Sequence, residues 1–183
     1  HMAITKIRTA KKIVFSRGFS LLELMITLSI AAILVSVAAP AYQSTMTQSR
    51  LTAQANELVT SLYYARSEAV KRGARVTICT SSDGATCTNG SGWQSGWLVF
   101  SDGGTAGTID GTDEVLRVFP ALPGSTLGSG GNFSNWLSYQ SNGRSQGSGG
   151  LPNGTFSLCN HNHARTITLN NAGRPSVKKG LTC

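Results

Sequence analysis

Residues 19–39, FSLLELMITLSIAAILVSVAA, form an apolar run with a single charge, Glu23. At ~1.5 Å per residue, a helix of this length just crosses a hydrocarbon core about 30 Å thick. Five cations precede it (Lys6, Arg8, Lys11, Lys12 and Arg17) with no acid among them, which places the N-terminus on the cytoplasmic side. The run exceeds the ~7–15-residue core of a secretory signal, and Pro40 disfavours cleavage after Ala39. A simple anchor leaves Glu23 unexplained. A carboxylate inside a membrane helix costs ~2.5–3.5 kcal/mol on insertion scales, so Glu23 needs a partner.

The formal charge of +8 over 183 residues would by itself suggest nucleic acid, but five of those charges lie in the first 18 residues. The remainder carries only +3, and unevenly. From Val115 onward there are Arg117, Arg144, Arg165, Arg174, Lys178 and Lys179 and no acid, while Asp102, Asp110, Asp113 and Glu114 gather just before. The apolar content of 40% excludes wholesale disorder, and 21 glycines predict many turns.

Pro40 falls where it would kink a long helix rather than end it. Beyond it, Leu51, Ala55, Leu58, Leu62, Ala65 and Ala69 repeat at spacings of three and four, the buried stripe of an amphipathic helix. Glu68 can pair with Arg72 one turn on, and Gly73 ends the helix. Residues 19–72 thus predict one helix of roughly 80 Å.

The period then changes. Strands are expected at 75–80, 93–100, 115–119, 133–139, 155–160 and 165–170, separated by Gly/Ser/Asn-rich loops that include 128–131 and 147–150. The fold class is α+β, an antiparallel sheet or pair of sheets laid on the amphipathic helix. Trp97, Val99, Leu116, Val118, Ile167 and Leu169 are the candidate core.

Cys79, Cys87, Cys159 and Cys183 lack the close spacing of a zinc or redox site, and an exported head would oxidise them. Three connectivities are open. Cys79–Cys87 and Cys159–Cys183 are favoured because each closes a local segment, the second pinning the C-terminal tail to a strand. The acidic segment 102–114 invites a calcium reading but lacks EF-hand spacing, so no metal site is expected. His161 and His163 read as a solvated pair. No nucleophile elbow, phosphate loop or HExxH motif is present, so neither a cofactor nor catalysis is expected. Arg165, Arg174, Lys178 and Lys179 flank a turn at Asn170–Gly173. A hairpin there would bring Arg165 near Arg174, making with Arg144 a surface that can grip phosphates.

The segment Arg17-Gly18-Phe19-Ser20-Leu21-Leu22-Glu23-Leu24 resembles the class III signal of type IV prepilins and pseudopilins. The resemblance implies cleavage by a prepilin peptidase between Gly18 and Phe19 and N-methylation of Phe19. It implies that Glu23 pairs in the filament with the N-terminal ammonium of a neighbouring subunit, and that the head has a type IV pilin fold. The chain would then comprise a leader at 1–18 (His1 reading as a cloning remnant), a membrane and filament-core helix at 19–40 and a globular head at 41–183. It would begin as a single-pass inner-membrane precursor and end in an extracellular pilus, with other major and minor pilins as partners.

Further along, Leu62 with Ala65-Arg66-Ser67-Glu68-Ala69, Ile78-Cys79, WQSGWLVF at 93–100 with Asp102, Val115-Leu116-Arg117 and Thr155-Phe156-Ser157-Leu158-Cys159 resemble, in that order, the GspH/FimT minor pilins. That implies a minor pilin active in pilus assembly or initiation, or alternatively an H-type minor pseudopilin of a type II secretion system. Some FimT-type pilins bind DNA for natural transformation through Gly-Arg-x-Arg. Gly173-Arg174-Pro175-Ser176 has Ser where the second Arg stands, and Lys178 and Lys179 supply charge without the bidentate fork.

Overall fold

The computed structural model describes residues 18–90, 92–180 and 183, so most of the expected leader lies outside the described residues. Helix α1 spans Leu21–Arg72 and runs through Pro40. Chain contacts separate two units at Tyr42/Gln43.

In the first unit the helix is exposed on all sides. It is long and apolar enough to cross a membrane. Its hydroxyls are satisfied within the helix itself: Thr27, Ser29 and Ser36 donate to the carbonyls of Leu24, Met25 and Ile33 at 2.7–2.9 Å. That arrangement suits a medium with no water to bond them.

In the second unit, all six residues of the expected stripe are at most 1% exposed. The helix stops at Gly73, whose φ of 63° is left-handed. Gly73 N–H bonds the Val70 carbonyl and Ala74 N–H that of Ala69, both at 3.3 Å. Arg72 donates to Glu68 at 2.8 Å, holding that carboxyl below its usual range, and reaches Glu114 at 3.2 Å.

Among the described residues nine strands follow: β1 Val76–Thr80, β2 Trp97–Ser101, β3 Val115–Phe119, β4 Thr126–Ser129, β5 Trp136–Tyr139, β6 Ser145–Gly147, β7 Gly154–Asn160, β8 His163–Leu169 and β9 Pro175–Lys179. They make two antiparallel sheets, ordered β3-β2-β1-β5-β6 and β4-β7-β8-β9. One core joins them. The helical stripe packs with Val76, Ile78, Trp97, Val99, Leu137 and Tyr139 of the first sheet and with Leu127, Phe156, Leu158, Ile167 and Leu169 of the second. On the other face of the first sheet, Cys79, Leu98 and Phe100 form a smaller cluster under Ile109 and Trp136.

Four expectations need correction. Residues 93–100 are not one strand: Trp93–Ser95 is a 3-10 turn and β2 starts after Gly96. Gly96 has φ 109°, and a Cβ there would sit 2.9 Å from the Phe119 carbonyl oxygen, so the backbone turns at that glycine. Residues 131–133 likewise form a 3-10 turn before β5. The expected loops at 128–131 and 147–150 overlap the ends of β4 and β6. Among the core candidates, Val118 is 49% exposed and Leu116 half-buried, because β3 is an edge strand whose register with β2 shifts between Val99 and Phe100. Phe119 is the buried residue there, stacked on Trp97.

Candidate functional site

At the N-terminus, Ser20 Oγ accepts the Glu23 N–H at 3.2 Å and Ser20 C=O the Leu24 N–H at 3.1 Å, which makes Ser20 the cap of α1. Ser20-Leu21-Leu22-Glu23 is the S-x-x-E pattern of a helix start, a signal the strand-and-helix reading above did not use. Glu23 lies in the first turn, where the helix dipole favours a negative charge. Gly18 and Phe19 precede the helix; Phe19 is 67% exposed, and nothing lies within 4 Å of a Cβ placed on Gly18. The Gly18–Phe19 bond and the Glu23 carboxylate are therefore accessible. Among the described residues no ion pair involves Glu23.

The basic residues of the C-terminal hairpin are arranged differently from the expectation. The β8–β9 register sets Arg165 opposite Lys179, Thr166 opposite Lys178 and Leu169 opposite Pro175. Arg174 belongs to the turn, at the far end of the hairpin from Arg165. Alternation along the strands separates the lysines too, since Lys179 shares a face with Arg165 and Lys178 takes the other. Arg165 is half-buried, donating to Thr52 Oγ1 at 3.3 Å beside a polar groove formed with Gln48, Ser49 and Asn56. Arg144, Arg174, Lys178 and Lys179 are exposed, and among the described residues no ion pair involves them.

Cys159 is bonded to Cys183, and Gly180 N–H bonds the Ala164 carbonyl at 3.0 Å, so the tail returns to β8. Cys79 is bonded to Cys87. Inside that small loop Asp83 accepts the backbone N–H groups of Thr86 and Ala85, both at 2.9 Å, and the Thr86 and Ser81 hydroxyls. These bonds hold its carboxyl well below the usual range.

The acids of 102–114 are engaged within the head, some by their own loop and some by neighbouring elements. Buried Asp102 accepts from Arg75 and Thr77 Oγ1, both at 2.6 Å, and from Gly107 N–H at 2.9 Å. Asp113 and Asp110 accept backbone N–H groups of Gly103 and Thr105. His163 Nε2 lies 3.4 Å from Ser44 Oγ, while His161 is exposed with φ 50°.

A family model described as type II transport protein GspH matches residues 54–173, more than half of the chain. The chain belongs to the GspH family. A second model, the prokaryotic N-terminal methylation motif, matches residues 15–39 and so contains Gly18, Phe19 and Glu23. Two crystal structures of the Pseudomonas aeruginosa type IV minor pilin FimU share the fold. One is 21% identical at a TM-score of 0.54, over 74% of this chain and 96% of FimU. The other, in a different crystal form, is 22% identical at 0.51, over 72% and 98%. Comparison with curated proteins found no match.

This GspH-family chain accordingly has the type IV pilin fold, one long helix packed on antiparallel sheets. It is a structural subunit of the minor pilin and pseudopilin class, anchored as a precursor in the inner membrane by α1. The residues matched to GspH end at Gly173, just before β9.

Proposed function

We propose that this chain is a minor pilin of a type IV pilus, cut between Gly18 and Phe19, methylated at Phe19 and built into the filament through α1. The observation that carries the reading is the exposed apolar helix with one accessible carboxylate, Glu23, close behind the cleavage bond. In lipid such a carboxylate is costly; in a filament core the ammonium of a neighbouring Phe19 neutralises it and fixes axial register. Mass spectrometry of the assembled subunit should find Phe19 at the N-terminus carrying one methyl group. A Glu23→Gln variant should be processed normally yet be depleted from sheared filaments. Wild-type incorporation of that variant would remove the pairing role.

The exposed cations of the C-terminal third support a further role, non-specific capture of extracellular DNA during natural transformation. Arg144, Arg174, Lys178 and Lys179 face solvent in a stretch that has no acid after Glu114. Such residues bind phosphates without reading bases.

The match to a type II transport family favours a second reading, the H-type minor pseudopilin of a secretion system. A deletion strain separates the two. Loss of piliation and transformation with secretion intact supports the pilus; loss of secreted proteins with normal pili supports the pseudopilus.

A further inference from the structure

Beside its buried stripe, α1 carries a second one. Thr45, Gln48, Ser49, Thr52 and Asn56 recur at helical spacing and, with Arg165 of β8, line an open groove of about 570 Å³. Gln48 is half-buried and the other four are exposed. None of the five is charged, so among the described residues Arg165 is the one charge in the groove's lining. A helix face that only meets water is usually charged. This one has the make-up of an interface core, where Lys, Glu and Asp are depleted and Arg is enriched.

Arg165 is held in place but not neutralised. Its Nη2 donates to Thr52 Oγ1 at 3.3 Å and its Nη1 to the Ala164 carbonyl at 3.1 Å. The same carbonyl accepts the Gly180 N–H at 3.0 Å, so the returning tail braces the strand at this point. Both acceptors are neutral, and among the described residues Arg165 makes no ion pair. Two of the five N–H groups of its guanidinium are used, which leaves three for a ligand. Lys179 stands opposite on β9 with its side chain on the same face, and adds positive charge next to Arg165.

A half-buried guanidinium with neutral partners gains most from a carboxylate, which takes two of its N–H groups at once, and a fork already held in place loses little freedom in doing so. The amides of Gln48 and Asn56 offer donors and acceptors together. That matches the peptide groups around an acidic side chain better than a phosphate, which only accepts. The groove begins at Thr45, three residues past the end of the first unit, on the same helix that the filament reading carries between subunits. We propose that this groove receives an Asp or Glu side chain of a neighbouring pilin subunit, clamped by Arg165 and bordered by the uncharged side chains of α1. The inference rests on the filament reading above and adds a second contact between subunits, on the head, to the one at Glu23. Its chemistry selects the neighbour. A subunit that brings a Lys to the groove, or no charge, leaves a half-buried cation unpaired.

The test uses the full chain in its own cells. R165Q should be processed like the wild type and melt at the same temperature in micelles. It should nevertheless fall at least about tenfold in sheared filaments, as expected when one partner of a desolvated ion pair is removed. S49W, which fills the groove and leaves Arg165 intact, should be depleted in the same way. R165K/K179R puts an ammonium in place of the fork. A carbodiimide, which joins a lysine to a touching carboxylate without a spacer, should then couple position 165 to an Asp or Glu of another pilin, read by mass spectrometry of tryptic peptides. Replacing that acid by Arg should deplete the wild-type chain and rescue R165E. Wild-type incorporation of both R165Q and S49W would mean that the groove is not an interface. Depletion without any coupled pilin would mean that no carboxylate sits in it. If R165Q enters filaments normally and instead weakens duplex binding, the groove takes a phosphate and the proposal is wrong. A wild-type chain missing from sheared filaments would remove the filament reading itself, and the proposed partner with it.

Discussion

Asp102 follows the end of β2 with its carboxylate shut off from water, held by Arg75, Thr77 and the Gly107 N–H. Thr77 also shares a 2.6 Å hydrogen bond with Ser138, so the network crosses from β1 to β5. Removing one partner strands a buried charge. Arg75→Ala should therefore cost ~3 kcal/mol in chemical denaturation, and Arg75→Met/Asp102→Leu should recover much of it. In the sequence Asp102 was legible only as the first of a run of acids, because Arg75 lies 27 residues away and the fold alone brings it near. Glu68 and Arg72, one helical turn apart, could be paired from spacing. Asp83 makes a pH-dependent contribution. Its folded pKa is depressed by the N–H groups of Thr86 and Ala85, so its stabilisation is complete above the unfolded value near ~4 and drains away as pH falls below it. An Asp83→Asn head should lose stability less steeply than wild type below that pH in a denaturation series.

At the scale of elements, α1 was legible because packing on a sheet leaves a three-four rhythm that needs only the helix's own residues. Leu58 is 1% exposed in that stripe, while Tyr63, five residues on, is 48% exposed. Leu58→Ala should destabilise the head by ~2–5 kcal/mol, and Tyr63→Ala by no more than ~0.5 kcal/mol, in urea titrations. Strands β7 and β8 were legible for a similar reason, with alternating side chains and aromatic or β-branched residues. Strands β4 and β6 were not. Thr126–Ser129 and Ser145–Gly147 have the composition of loops, and their strand character comes from the ladders with β7 and β5. The hairpin at Asn170–Gly173 was legible as a turn, but register is set by where β9 meets β8, and that placed Lys179 rather than Arg174 opposite Arg165. The approach of Gly173 to the Gly143 carbonyl was beyond any local reading, since the two residues lie in turns of different sheets.

For the whole molecule, the chemistry divides at Tyr42/Gln43 as the chain contacts do. Large apolar side chains of the first unit, such as Leu21 at 78% and Val37 at 70%, are exposed, and no described residue of that unit belongs to the hydrophobic core. Their burial must come from lipid or from other subunits, which is the behaviour of a precursor that waits in a membrane and leaves it only for a filament. The second unit has the opposite balance, with a core that runs from Leu51 to Leu169 and two disulfides that close segments of 8 and 24 residues. In the chain-entropy model the longer closure is worth about 3.5 kcal/mol and the shorter about 2.5 kcal/mol. Deleting residues 1–42 should therefore leave a monomer in water, by light scattering, whose urea midpoint equals that of the full chain in micelles. Reducing both disulfides should lower that midpoint, and Cys159→Ser/Cys183→Ser should lower it more than Cys79→Ser/Cys87→Ser. An aggregated head, or one that melts without a cooperative transition, would mean that the apolar helix supports the fold as well as the assembly.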